Sequence, residues 1–281
     1  MRLVIFLFSS MFVCQVFAQD AVDSLGCLKC GHNHRSPYDF SFKHELPFIL
    51  TGVGLVISSE VIKTTNSTKP FNLEELNNLD RNNVNPFDRP TTYKYKPDAA
   101  KLSDVFRTGV VIFPILFLAN HHTRKDIKGL ALLTTEVVVI NWGLTNGVKN
   151  LVNRTRPYVY NEEVPVDVRT DSQSRLSFFS GHASHTASVS FLFAKVINDY
   201  HPEMELTKKI CLWGVAATIP AVTAYLRVQS GKHFPTDVMF GYGIGATIGW
   251  LVPHLHKVKL PLSVASYSFQ DANGISFTYR F

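Results

Sequence analysis

Six apolar stretches, each about one helix long and each bounded by polar residues, constrain the fold of this chain more than any other feature. They cover about 46–62, 103–120, 127–148, 183–199, 208–226 and 236–253. Runs of this length exceed ordinary strands, so helices packed side by side are the expected outcome. The expected fold is all-α, a bundle of five to six apolar helices. Ser103 and Asp104 read as the cap of the second helix, and Pro235 and Thr236 suit the start of the last. Glu136 and Lys195 interrupt two of the stretches, a costly placement for a membrane span. The linker 64–101 is rich in Asn, Asp, Pro and Thr, with a short helix expected at 73–79.

Three short polar clusters sit at the ends of these stretches. Lys149 with Arg156-Pro157 reads K-x6-R-P; Ser180-Gly181-His182 follows; Arg227, His233 and Asp237 read R-x5-H-x3-D. Each cluster alone has a plain explanation. Basic residues mark membrane boundaries, Ser-Gly-His starts helices, and a His and an Asp four apart pair on a helix face. Together they supply three cations, a hydroxyl, two imidazoles and a carboxylate, the set that phosphoryl transfer needs. A transferring phosphoryl group carries charge on three oxygens, so fixed cations and arginine forks supply most of the catalysis. If consecutive helices run antiparallel, all three clusters meet at one end of the bundle.

With its three blocks in this order, the chain resembles the type 2 phosphatidic acid phosphatase superfamily. That superfamily shares its site with bacterial acid phosphatases and vanadium haloperoxidases. The resemblance covers about residues 103–256 and departs at Phe179, where the family usually has Pro, and at Leu226, where it usually has Ser. It implies that His233 is the nucleophile, that Asp237 holds the other ring nitrogen of His233, and that His182 is the acid and then the base. Lys149, Arg156, Ser180, Gly181 and Arg227 are implied to hold the phosphoryl oxygens. Neither a metal nor a cofactor is implied for these steps. Arg154 and Arg175 are nearby cations without an assigned oxygen.

The same resemblance implies a phosphomonoester or diphosphate substrate, with lipid phosphate favoured. Soluble esters, vanadate-dependent halide oxidation and a non-catalytic lipid-binding bundle stay open as alternatives. Composition agrees with an anionic substrate or lipid surface: 46% of residues are hydrophobic, 18% are charged, and the net charge is +6. Nothing resembles a nucleic-acid reading module.

The rest of the chain divides around that core. Residues 1–18 read as a secretory signal: Arg2 precedes an apolar run, and Val16-Phe17-Ala18 offers a cleavage point. A polar segment, 19–45, holds Cys27, Cys30, His32 and His34, for which a local disulfide is expected over a metal site. Cys211 is expected as a small buried hydrophobe. A helix plus polar linker spans 46–102, the catalytic core 103–256, and a β-hairpin 257–281 with its turn at 271–274. A cleaved signal and a spanning helix at 46–62 together conflict with a periplasmic site. The expectation is a membrane-associated protein whose site faces the periplasm.

Overall fold

The computed structural model describes residues 36–66, 69–258, 263–269 and 272–278. The expected signal at 1–18 and the Cys27–His34 segment lie outside them. The bundle has six principal helices: α1 (Phe42–Thr65), α2 (Pro97–Gly109), α3 (Ile127–Val152), α4 (Gly181–Tyr200), α5 (Leu206–Gln229) and α6 (Pro235–Leu255). A 3₁₀ segment, Val110–Leu118, continues α2. Ser263–Phe269 pairs antiparallel with Ala272–Thr278. The expected turn residues Ala272, Asn273 and Gly274 therefore lie within the second strand.

Close backbone contacts fix the directions of the helices. Gly241, Gly245 and Gly249 recur every four residues on α6 and lie against the carbonyls of Ser180, Ser184 and Ser188 on and beside α4. A Cβ at Gly245 would stand 2.1 Å from the Ser184 oxygen. Small residues at this spacing let two helix backbones approach closely. The pairing is parallel, so α4 and α6 begin at the same end. Likewise Gly52 packs on Val139, Gly143 on Leu55 and Gly147 on Ser59, which makes α1 parallel to α3. α3 and α5 end where α4 and α6 begin, which defines a catalytic end and an opposite end.

α4 lies at the centre, packed by α3, α5 and α6. Its buried residues Leu192, Phe193, Val196 and Ile197 join Leu130, Leu133, Val137 and Ile140 of α3, with Phe117 and Val252. Each such side chain contributes about 1.5–3 kcal/mol on burial. The polar breaks in α3 and α4 are also internal. Glu136 is buried beside His256, and Lys195 pairs with Asp199. Cys211 on α5 is half-buried.

α1, 127–160, α5 and α6 are each long and apolar enough to cross a membrane. Leu50, Val53, Ile57 and Val61 on α1, and Phe240, Trp250 and Leu251 on α6, are exposed on the outside of the bundle. This outward apolar surface, wrapped around a partly polar interior, is that of a membrane protein.

The expected cap at Ser103-Asp104 is corrected: both residues lie inside α2. Pro97 at the first helical position, with Asp98 in the first turn, starts that helix earlier.

The α4–α6 contact predicts that Gly245→Ala lowers stability by about 1–3 kcal/mol through overpacking. Gly243, whose Cβ would meet nothing within 4 Å, is the control. Gly243→Ala leaves the melting temperature in detergent unchanged or raises it.

Candidate active site

Each cluster is placed by a local feature of the chain. Lys149 lies in the last turn of α3, which Asn153 ends in the left-handed region at φ 48°. The chain then reverses. Arg156 N–H donates to Ser174 O, and its side-chain Nε donates to Gln173 O, both at 2.8 Å. Those two bonds hold the guanidinium of Arg156 in one orientation. Arg227 lies in the last turn of α5, and Gly231, at φ +70°, makes the turn toward His233. A Cβ at Gly231 would stand 2.0 Å from Lys94 O, so the position excludes any side chain.

Ser180 caps α4, its Oγ accepting from Ala183 N–H at 3.4 Å. The cap leaves its own hydroxyl proton available for another acceptor. Gly181 opens the helix beside Lys149; a Cβ there would lie 3.9 Å from Lys149 Nζ. Its amide is one of the unpaired N–H groups at a helix N-terminus, where anions are favoured.

These groups converge on His233, which is buried. Its ring Nδ1 lies 2.7 Å from Ser177 O. A carbonyl only accepts, so Nδ1 carries the proton and Nε2 keeps its lone pair. Burial, then Arg156, Arg227, Lys149 and His182, hold this imidazole well below its ordinary pKa. The lone pair is therefore free at neutral and mildly acidic pH.

This geometry corrects the expected role of Asp237. Its carboxylate stands 3.8 Å from His233 Nδ1, which is already taken by Ser177 O. Asp237 instead accepts from Arg154 Nη1 at 2.5 Å, Ser177 Oγ at 2.6 Å and Phe234 N–H at 2.8 Å. It thus fixes both the loop carrying the Ser177 carbonyl and the first turn of α6. Arg154 is no loose cation: it bridges Asp237 to Asp88, donating to the latter at 2.8 Å, and lies over the Phe234 ring. Arg175 is structural, paired with Glu75 at 2.7 Å and lying over Phe71.

Several residues absent from the motif reading complete the site. Asp104 of α2 accepts from His182 Nε2 at 2.6 Å and stands 3.8 Å from Arg227 Nη1. Arg227 also donates to Ser103 Oγ at 3.2 Å, while its buried Nε has no partner, as suits a fork that receives an anion. Asp88, buried in the 64–101 segment, accepts from Thr236 N–H and Oγ at 3.1 and 2.6 Å, clamping the start of α6. Lys232 lies over the Tyr158 ring, its pKa pushed down to about 8 by burial and then by Arg156 and Arg227. The alternation of helix ends could have indicated Asp104, which falls at the same end as His182.

Lys149, Arg156 and Arg227 thus gather around a neutral imidazole, with a second imidazole held by a carboxylate. This arrangement can bind a multiply charged anion and place a nucleophile against it.

Residues 127–260 match the PAP2 superfamily. A decaprenylphosphoryl-5-phosphoribose phosphatase from Mycobacterium tuberculosis is 30% identical over 105 residues, covering 37% of this chain and 49% of that protein. Phosphatidylglycerophosphatase B from Bacillus subtilis is 30% identical over 129 residues, covering 46% of this chain and 58% of that one. The chain thus spans about half the length of these curated relatives. A transmembrane PAP2-type phosphatidylglycerolphosphate phosphatase from Bacillus subtilis, solved as a crystal structure, is 21% identical with a TM-score of 0.44. The similarity covers 72% of this chain and 94% of that one. The span that matches the PAP2 superfamily, residues 127–260, contains all three polar clusters.

Proposed function

We propose that this protein is a phosphatase that hydrolyses a phosphomonoester or diphosphate, preferentially of a lipid, through a phosphohistidine on His233. The observation that carries the reading is the His233 tautomer. His233 Nδ1–H donates to Ser177 O, leaving the Nε2 lone pair free, and the ring lies among Arg156, Arg227, Lys149 and His182.

In the first step, His233 Nε2 attacks phosphorus as the bond to the leaving oxygen breaks. The three cations, Ser180 and the Gly181 amide hold the phosphoryl oxygens. His182 gives its proton to the leaving alkoxide or phosphate. In the second step, His182 takes a proton from water, and the hydroxyl attacks phosphorus. The N–P bond breaks, phosphate leaves, and His233 recovers its lone pair. No metal ion takes part in either step. Asp104 acts through His182, orienting the ring and stabilising the imidazolium form. Lipid specificity is supported by the apolar flanks of the bundle and by the lipid-linked phosphates in the relatives' names.

The catalytic end is proposed to face the periplasm, with Arg124, Lys125, Lys128, Lys208 and Lys209 at the cytoplasmic end. Because α1 runs parallel to α3, residues 36–41 then lie at that cytoplasmic end. A cleaved signal at 1–18 and a crossing α1 are incompatible with this side. An impermeant maleimide tests it: in intact cells it labels Lys94→Cys and spares Lys209→Cys, in a background with Cys14, Cys27, Cys30 and Cys211 all replaced by Ser. The opposite pattern places the site in the cytoplasm.

The chemistry is tested by phosphate release from phosphatidate, an isoprenoid diphosphate and a soluble aryl phosphate. His233→Gln is expected to lose at least about a thousandfold in kcat with folding intact; retained turnover contradicts the nucleophile. Asp104→Asn is expected to lower kcat about ten- to a hundredfold. It removes a carboxylate that stabilises protonated His182, so the alkaline limb of the kcat profile moves to lower pH. An unmoved limb reduces Asp104 to a packing role.

A further inference from the structure

A second polar cluster lies at the opposite end of the bundle, outside the chemistry above. Glu45 of α1, Glu136 of α3 and His256 just after α6 bring one oxygen or nitrogen donor each within 4.8 Å of one another. They are 2%, 4% and 0% exposed. Glu136 precedes Lys149 by 13 residues on α3, which separates the clusters by roughly 20 Å along the helix.

None of the donor atoms is satisfied by the protein. Both oxygens of Glu45, both oxygens of Glu136 and His256 Nε2 are buried without a hydrogen-bond partner. A buried carboxylate without a hydrogen bond is costly unless a positive charge beside it neutralises it. The histidine is also already oriented. Its Nδ1 lies 2.8 Å from Val252 O, so Nδ1 carries a proton and Nε2 is the ring atom turned toward the two carboxylates. Two carboxylates and a ring nitrogen facing one point call for positive charge there, and a bound metal ion would supply it with all three donors as ligands. A backbone carbonyl on the far ring nitrogen is also how metal-binding imidazoles are held.

Spacing and donor type narrow the cation. His256 Nε2 stands 3.1 Å from Glu136 Oε2 and 3.6 Å from Glu45 Oε1. Donors on a tetrahedral zinc ion, bound at about 2.1 Å, are separated by about 3.4 Å. Two carboxylates neutralise a divalent charge, and an imidazole selects transition metals over magnesium and calcium. The surroundings are closed: Phe48 packs on the His256 ring at 4.1 Å, and Asp39 N–H donates to His256 O at 2.8 Å.

We propose that Glu45, Glu136 and His256 form a structural site for a divalent transition metal, of the zinc class. It would tie α1, α3 and the end of α6 together at the non-catalytic end of the bundle. The test uses the full chain, purified in detergent on a metal-free affinity tag. Elemental analysis is expected to find about one zinc per chain. Stripping with chelator is expected to lower the melting temperature and added Zn²⁺ to restore it, whereas Mg²⁺ and Ca²⁺ are not. Glu136→Gln and Glu45→Gln are expected to lose the metal. The wild-type strip-and-restore measurement stands even if a variant fails to fold. Wild-type protein without bound metal and without a Zn²⁺-dependent rise in melting temperature overturns the proposal, leaving the cluster neutralised by protons. Equal zinc in folded wild type and folded Glu136→Gln overturns it too, as does restoration by Mg²⁺ or Ca²⁺.

Discussion

Backbone-to-backbone packing of α6 on α4 is the contact on which the rest of the structure depends. Gly241, Gly245 and Gly249 let the Ser180, Ser184 and Ser188 carbonyls approach to distances that any side chain would forbid. That contact sets the two helices parallel and brings their first turns together. Ser180 N–H reaches Asp237 O at 3.0 Å across the junction. The amide of Gly181 and the loop carrying His233 are therefore held by one pair of helices. Neither would be positioned by its own short loop alone.

The electrostatics of the site follow from this packing. Arg156 and Arg227 are buried beside Lys149, an arrangement whose mutual repulsion the fold must offset. Arg156 is braced by backbone carbonyls and Arg227 by Ser103, with Asp104 nearby. A separate balance operates behind the nucleophile, where Arg154 lies between Asp88 and Asp237. The carboxylates there serve the scaffold, while Lys149, Arg156 and Arg227 surround the His233 ring. A phosphoryl group bound among these cations would complete the charge balance, drawing on preorganised dipoles and cations.

Much of this was legible in the sequence, because the informative spacings are local. K-x6-R-P spans a helix end and the turn after it, and R-x5-H spans another, so covalent geometry alone keeps each pair close. The apolar runs located all six helices, and their alternating ends foretold the convergence of the clusters. Asp104 escaped because its partner His182 is 78 positions away and belongs to another helix. Its own neighbourhood, Ser-Asp before an apolar run, imitates a helix cap. Asp237 was misread for a different reason. Its expected role came from the resemblance rather than from local geometry, and His233, which precedes α6, turns its ring instead toward Ser177. Asp88 lies in a linker whose composition signals only turns, and its role depends wholly on tertiary contact with Thr236 and Arg154.

The central claim is that His233 Nε2 becomes covalently bonded to phosphorus. The most direct measurement is a rapid acid-free quench of the enzyme with a ³²P-labelled substrate, followed by peptide mapping. The account predicts label on the peptide containing His233, stable to alkali, released by acid, and absent from His233→Gln. Label on another residue in a catalytically competent adduct would contradict it. So would inversion at phosphorus when a chiral ¹⁸O-labelled phosphorothioate ester is hydrolysed in ¹⁷O-water, because two in-line displacements retain configuration and one direct attack by water inverts it.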